Sequence, residues 1–216
     1  MQQLFTEDES DVLREIMNLH IGEAAAILSE MVDRRIVLAV PEIKLIRLGQ
    51  NANEVREGLR DVFDGQVVSS SLSFGDDFSG RAYFVFPSRQ ARSLVALCLG
   101  QSPAEAPVNA DLPFMDDDVD VVREIGNVIL NSIIGGFSNI LELRLNYSLP
   151  EVEVFDFNSA ENTSHNLTGM HLLIIRASFL VEKDTVEGAV LIVFSLRSIE
   201  MLKAKMAALL LANLDG

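Results

Sequence analysis

The sequence predicts an α/β fold of layered α+β type, in which two helix-strand-strand-strand-helix repeats share one antiparallel sheet. Two observations lead to this prediction. A motif of four polar or rigid residues occurs twice at an offset of 109 residues, and each copy opens a long amphipathic pattern followed by strand-like runs. A common sheet would bury the apolar faces of both long helices. We therefore expect a single domain over residues 1–216, comprising repeat one (1–100), a connection (101–116) and repeat two (117–216).

The elements of the first repeat follow from periodicity and turn chemistry. Thr6 and Glu9 have the spacing of a capping box at the start of a proline-free helical pattern. A β-rich run follows, and Pro41 inside it predicts a strand that is bent or lies at a sheet edge. Two further strands flank a Gly-Asp-Asp turn, and a short helix ends before Gly100. The predicted spans are helix 7–32, strands 36–48, 66–74 and 80–87, and helix 88–99, with residues 49–61 as a connection.

The second repeat reproduces this order. The proline-rich segment 100–116 is predicted to be irregular. Three aspartates at 116–118 would complement the positive end of a helix dipole at the start of the second long helix. The predicted spans are helix 117–141, strands 142–155, 169–182 and 187–195, and helix 197–213.

Composition and charge exclude several classes of function. With 216 residues and 49% hydrophobic content, the chain can bury a substantial core. Seventeen basic against 32 acidic side chains give a net charge of -15, which repels nucleic acid and anionic lipid surfaces. We recognise no secretory signal and no membrane-spanning stretch, and expect a cytoplasmic protein. Cys98 falls in the apolar pattern of a short helix, so we expect a buried structural thiol rather than a nucleophile.

The repeated motif places two carboxylates and a carboxamide on one helix face, because side chains at i, i+4 and i+7 lie within about 60° of one another. A solvated surface would explain a single copy. Asparagine is a below-average helix former, however, and its recurrence at the same mid-helix position indicates an external partner. The motif residues are Asp11, Glu15, Asn18 and Pro41 in the first repeat, and Asp120, Glu124, Asn127 and Pro150 in the second.

Three chemistries fit carboxylates beside a carboxamide, and the sequence favours one of them. The histidines at 20, 165 and 171 neither cluster nor recur between the repeats, so we discount a metal site. Covalent catalysis is unsupported, because no nucleophile with its own base, no nucleophile elbow and no phosphate-binding loop is present. What remains is a carboxamide that orients water and a carboxylate that pairs with a cation. Such groups assist phosphoryl hydrolysis when the phosphate and its metal belong to a partner.

The windows 15–29 and 124–127 resemble the signature of the CheC/CheX/FliY phosphatases of chemotaxis, and two intact motifs are most similar to the CheC type. The resemblance implies two long helices on a six-stranded sheet, related by a pseudo-twofold axis. It also implies hydrolysis of the aspartyl phosphate of a CheY-type response regulator, with magnesium supplied by that phosphorylated partner and no cofactor bound by this chain. A monomer is expected, with the deamidase CheD as a further partner.

The resemblance assigns a role to each motif residue. Glu15 and Glu124 would pair with a receiver-domain lysine, and Asn18 and Asn127 would orient the attacking water. Supporting roles fall to Asp11 and Asp120 on the helix face, and to Pro41 and Pro150 as structural residues.

The first copy departs from the family pattern at two positions. Met17 and His20 stand where small residues are usual, so we expect bulk beside Asn18 to hinder docking, and rank Glu124 and Asn127 first. His20 itself is expected to be a partly exposed helix residue. The alternative function is a non-catalytic module that binds a receiver domain, or associates with the flagellar switch, through the same acidic helix faces.

Overall fold

Four helices and one antiparallel sheet make up the part of the chain that the computed structural model describes, which is residues 5–48, 59, 63–101, 113–158, 170–181 and 184–214. The helices are α1 (Glu7–Val32), α2 (Ser88–Cys98), α3 (Asp116–Leu141) and α4 (Leu196–Leu214). The strands are β1 (Ile36–Arg47), β2 (Gln66–Gly75), β3 (Gly80–Pro87), β4 (Asn146–Tyr147), β5 (Glu151–Asp156), β6 (His171–Val181) and β7 (Asp184–Phe194).

These elements confirm the predicted α/β fold class and most of the predicted spans. Both long helices and the β2–β3 hairpin match within about one residue at each end, whereas β7 begins earlier than the predicted residue 187. Most of the predicted connections at 49–61 and 100–116 lies outside the described residues.

The sheet is shared because each half contributes an outer strand to the other half. The strand order is β1-β6-β7-β3-β2, and both β4 and β5 pair with β2. Thus β1 from the first half lies on β6 from the second, while β4 and β5 from the second lie on β2 from the first. The central pair is β3 and β7, and every pairing is antiparallel. Six strands were expected, and the described residues form seven, because the predicted strand 142–155 is divided into β4 and β5.

Both outer strands are irregular at a proline, since proline has no N–H to donate to a sheet ladder. In β1 the register with β6 shifts between Ala39 and Glu42, around Pro41, which confirms the predicted irregular edge strand. The prediction of one strand over 142–155 was wrong. That segment forms β4 and β5 with the buried Pro150 between them.

Side chains and backbone at both ends of the long helices satisfy the capping requirements. At α1, the Thr6 hydroxyl accepts from the Glu9 N–H at 3.2 Å, and the Glu9 carboxylate accepts from the Thr6 N–H at 2.8 Å, which confirms the predicted capping box. Acidic residues occupy the first turn of α3, as predicted. Both helices end at a left-handed residue, Asp33 (φ 51°) and Glu142 (φ 56°), which again stand 109 residues apart.

The main core lies between the helices and one face of the sheet. One hydrophobic cluster contains side chains from all four helices and from β1, β2, β3, β6 and β7. Strand residues alternate between this cluster and a smaller one on the opposite face, as Phe84 and Val85 do. Because α1 and α3 bury one stripe each, their opposite faces are left to the solvent.

Candidate active site

The repeated polar stripe lies on the solvent-facing sides of α1 and α3. In α1 the motif residues Asp11, Glu15 and Asn18 are all exposed, while Leu13 and Met17 between them are fully buried. The stripe of α3 comprises Asp120, Glu124 and Asn127, of which the first two are exposed and the last is half-buried. A visiting protein can therefore reach both asparagines.

The first acid of each motif is paired with an arginine one helical turn later. Asp11 forms a salt bridge with Arg14, and Asp120 forms the equivalent one with Arg123. These exposed pairs add little stability, about 0–1 kcal/mol each. They neutralise the aspartates, whereas Glu15 and Glu124 form no salt bridge with any residue of the described chain. The two glutamates are thus exposed carboxylates that an incoming cation can pair with.

Asn127 differs from Asn18 in having a polar neighbour one turn further along its helix. The Asn131 side-chain amide donates to the Asn127 side-chain oxygen at 2.9 Å. Asn18 also makes a polar contact, but position 22, which corresponds to Asn131, is a glycine with no side chain.

Asn127 and Asn131 line a cleft between α1 and α3. The cleft has a volume of about 420 Å³, and six of its nine lining residues have polar side chains. Its polar lining residues are His20, Glu23, Asn127, Asn131, Ser132 and Asn139. The second asparagine site therefore opens beside a polar recess that both long helices form.

Two expectations about the first site were wrong. His20 is buried, at 8% exposure, rather than partly exposed, and its Nδ1 lies 3.0 Å from the Glu23 carboxylate. Both His20 and Met17 face α3, where they leave no room for a side chain at Gly136. Because both bulky side chains point inward, they do not obstruct the surface beside Asn18. The physical reason is helix geometry: both positions fall on the buried stripe of α1.

Gly126, which corresponds to Met17, brings α3 close to the sheet. A Cβ at Gly126 would lie 2.2 Å from the Ser70 hydroxyl oxygen and 2.4 Å from the Ser70 Cβ. Ser70 is fully buried in β2, and its hydroxyl has no hydrogen-bond partner among the described residues. Glu124 and Asn127 therefore lie on either side of a glycine, and the missing side chain there allows α3 to pack close to the sheet.

The histidine and cysteine side chains form no additional site among the described residues. No group of three or more His, Cys, Asp or Glu side chains is arranged to hold a metal ion within the described ranges. His165 lies outside them, and His171 is buried at the start of β6. Cys98 is half-buried, and burial raises the pKa of its thiol to about 11, with nearby Arg34 opposing part of the shift. Such a thiol is uncharged near neutral pH, in keeping with a structural role.

Hydropathy along the helices gives no indication of a bilayer segment. Among the residues that the structure covers, no helix combines the length and apolar content needed to span a membrane.

Sequence reasoning overlooked two parts of the site. Arg14 and Arg123 matched between the repeats but received no role, although an arginine three residues after an aspartate on a helix predicts an ion pair. Asn131 was missed because the first repeat has a glycine there, so comparing the repeats concealed it.

Comparison with known proteins finds two phosphatases that are similar in sequence. The chain is 27% identical over 161 residues to the CheY-P phosphatase CheC of Bacillus subtilis (strain 168), covering 71% of this chain and 69% of that protein. It is 23% identical over 158 residues to the flagellar motor switch phosphatase FliY of the same organism. That match covers 73% of this chain but only 39% of FliY, so the chain spans well under half of that relative's length.

The fold is also shared with a solved structure. The crystal structure of Thermotoga maritima FliY aligns with a TM-score of 0.74 over 95% of this chain and 98% of that chain, at 20% identity, which demonstrates a common fold. No protein-family model matches the sequence. In sequence the chain is thus similar to the CheC and FliY phosphatases of Bacillus subtilis, and in fold it is similar to Thermotoga maritima FliY.

Proposed function

We propose that this protein is a hydrolase that removes the aspartyl phosphate of a CheY-type response regulator in chemotaxis signalling. The observation that carries the proposal is the presence of two exposed Glu-Asn pairs at equivalent positions of two long helices. The names of CheC and FliY from Bacillus subtilis as phosphatases, CheC acting on CheY-P, support it.

Each glutamate would anchor the receiver domain by pairing with a lysine. Glu15 and Glu124 suit this role because they are exposed, whereas the neighbouring aspartates already pair with arginines. An ion pair with exposed partners is weak alone and screened by salt. It would set the orientation of the docked domain more than its affinity.

Each asparagine would orient a water molecule for attack on phosphorus. A carboxamide has both donors and an acceptor, so Asn18 or Asn127 can hold one water in a defined direction without taking its proton. Phosphoryl transfer depends mainly on such positioning and on charge stabilisation. Magnesium bound by the phosphorylated partner would neutralise charge on the phosphoryl oxygens.

The balance of the reaction is simple. A water oxygen forms a bond to phosphorus while the bond from phosphorus to the aspartyl oxygen breaks, leaving a free carboxylate and inorganic phosphate. This chain would supply no nucleophile and form no covalent intermediate.

The experiment is to follow phosphate loss from a CheY-type receiver domain, phosphorylated with a small phosphodonor in magnesium, with and without this protein. Wild type should accelerate the loss, Asn18→Ala and Asn127→Ala should each reduce it, and the double variant should abolish it. Arg89→Ala on the short helix α2 serves as a surface control and should leave the rate unchanged. Unchanged decay with wild type, or full activity of the double variant, would contradict the proposal.

A second candidate is a non-catalytic module that binds the receiver domain or the flagellar switch. The likeness to FliY, described as a flagellar motor switch phosphatase, favours it. Binding of the phosphorylated domain without any change in its decay rate would support this candidate over hydrolysis. A deamidase of the CheD class remains an expected further partner, which co-purification with the purified deamidase would test.

A further inference from the structure

We propose, on the basis of the phosphatase function above, that Asn131 is a positioning residue that holds the Asn127 carboxamide in the orientation needed for turnover at the second site. The observation behind this is the hydrogen bond of 2.9 Å from the Asn131 amide to the Asn127 side-chain oxygen. An asparagine side chain rotates freely in solvent, and this bond fixes the plane of the Asn127 amide.

The remaining groups of Asn127 suit the task of orienting water. With one lone pair of its oxygen engaged by Asn131, the Asn127 amide retains two N–H donors and a second acceptor lone pair. Its half-buried position beside the cleft restricts the rotation of the side chain further. The amide is therefore arranged before the receiver domain arrives, which lowers the entropic cost of reaching the reactive geometry.

Asn131 itself is difficult to explain as a structural residue. Its side-chain oxygen is buried and has no hydrogen-bond partner among the described residues, a situation that costs free energy in a folded protein. Asparagine also disfavours the middle of a helix. Local rules of this kind are broken most often where a residue serves a site, and here the served group is Asn127.

Position 22, which corresponds to Asn131 in the first repeat, cannot make this side-chain contact. Position 22 is a glycine whose missing Cβ would meet no atom within 4 Å. A side chain at position 22 would have room, but glycine has no side chain that could contact Asn18 one helical turn earlier. The two repeats therefore differ at this position, and Asn18 makes a polar contact of its own.

The test measures each site alone. In an Asn18→Ala background, only the second site is active, and Asn131→Ala should reduce kcat by about 2- to 10-fold, the factor that one hydrogen bond supplies. KM for the phosphorylated receiver domain should stay unchanged, because the contact removed is internal to this chain, between Asn131 and Asn127. Asn139→Ala, which alters the same helix and cleft 12 residues away, should have no effect on either constant.

An unchanged kcat in Asn131→Ala with an active parent would overturn the inference, as would a change confined to KM.

A readout without turnover separates this inference from the proposed function. Nuclear magnetic resonance of the Asn127 side-chain NH₂ group should show an ordered amide that gains fast motion in Asn131→Ala but not in Asn139→Ala. If wild type leaves receiver decay unchanged, the proposed function fails, and with it the catalytic consequence of Asn131. An Asn127 amide that is equally mobile in wild type and Asn131→Ala would overturn the positioning itself.

Discussion

Replacing Gly126 by alanine should destabilise the protein, although alanine is the better helix former. The new Cβ would lie 2.4 Å from the Ser70 Cβ, whereas carbon atoms in contact normally stand about 3.5–4.0 Å apart. Helix α3 and strand β2 would have to separate by roughly 1 Å, since Ser70 cannot rotate its Cβ away. Such overpacking costs about 2–3 kcal/mol, and alanine's helix propensity returns about 1 kcal/mol, so the net loss is about 1–2 kcal/mol.

The matched control is a glycine on the same helix. A Cβ at Gly135 would meet nothing within 4 Å, so Gly135→Ala should stabilise the protein by about 1 kcal/mol through helix propensity alone. The identical substitution thus has opposite signs nine positions apart. For a chain of 216 residues, 1 kcal/mol corresponds to about 2–4 °C in Tm, giving a fall of roughly 2–8 °C for Gly126→Ala.

Urea unfolding and thermal melts of the two variants provide the assay. Ser70→Gly removes the two side-chain atoms that the new Cβ would overlap, so the Gly126→Ala/Ser70→Gly double variant should be about 1–3 kcal/mol more stable than the sum of its single changes predicts. Gly126→Ala lies two residues from Glu124, and the shift should also slow the second site. A Gly126→Ala protein as stable as Gly135→Ala would refute the reasoning.

Three further outcomes follow from the structure. Thr6→Ala removes the side-chain acceptor for the Glu9 N–H and should cost about 1 kcal/mol in a urea melt, while Glu7→Ala, which alters no described capping bond, should cost less. Alkylation of Cys98 should rise with pH around a midpoint near 11 rather than near 9, and a midpoint near 9 would mean that burial does not control the thiol. Burial and the nearby charges of Arg47 and Lys203 lower the pKa of His171, so the unfolded chain binds its proton more readily. The stability that neutral His171 provides is therefore complete above the unfolded value of about 6.5 and declines below it. Melts at pH 7.5 and 5.5 should show a smaller pH-dependent fall in Tm for His171→Asn than for wild type; equal falls would contradict this.

The elements were predictable because their signals are local. Caps, apolar periodicity and turn residues lie within a few positions of one another, so helix α1 and its capping box could be derived from residues 6–32 alone. The exchange of outer strands between the halves could not be derived this way. Pairing β1 with β6 joins residues that are distant in sequence, and both repeats contain strands of similar composition.

The residues of the site were likewise predictable only where the signal is local in sequence. The polar stripe was predictable from helix geometry, and so was the burial of His20, which stands three residues after the buried Met17. That signal was available but was overlooked. The contact between Gly126 and Ser70 was not available, because nothing in the sequence indicates which strand a helix will approach.

The features that the two halves share and the features in which they differ lie in different parts of the molecule. Equivalent features include the Asp-Arg pairs, the exposed glutamates and the left-handed helix ends, all of which lie on the surface or at the ends of the long helices. The differences lie at the inner edge of the stripe, where one half has Met17 and Gly22 and the other has Gly126 and Asn131. A receiver domain would meet nearly the same charges at either helix, so its affinity for the two sites should be similar. The asparagine amides, in contrast, have different surroundings, and any inequality in turnover should therefore arise after docking, in the orientation of water.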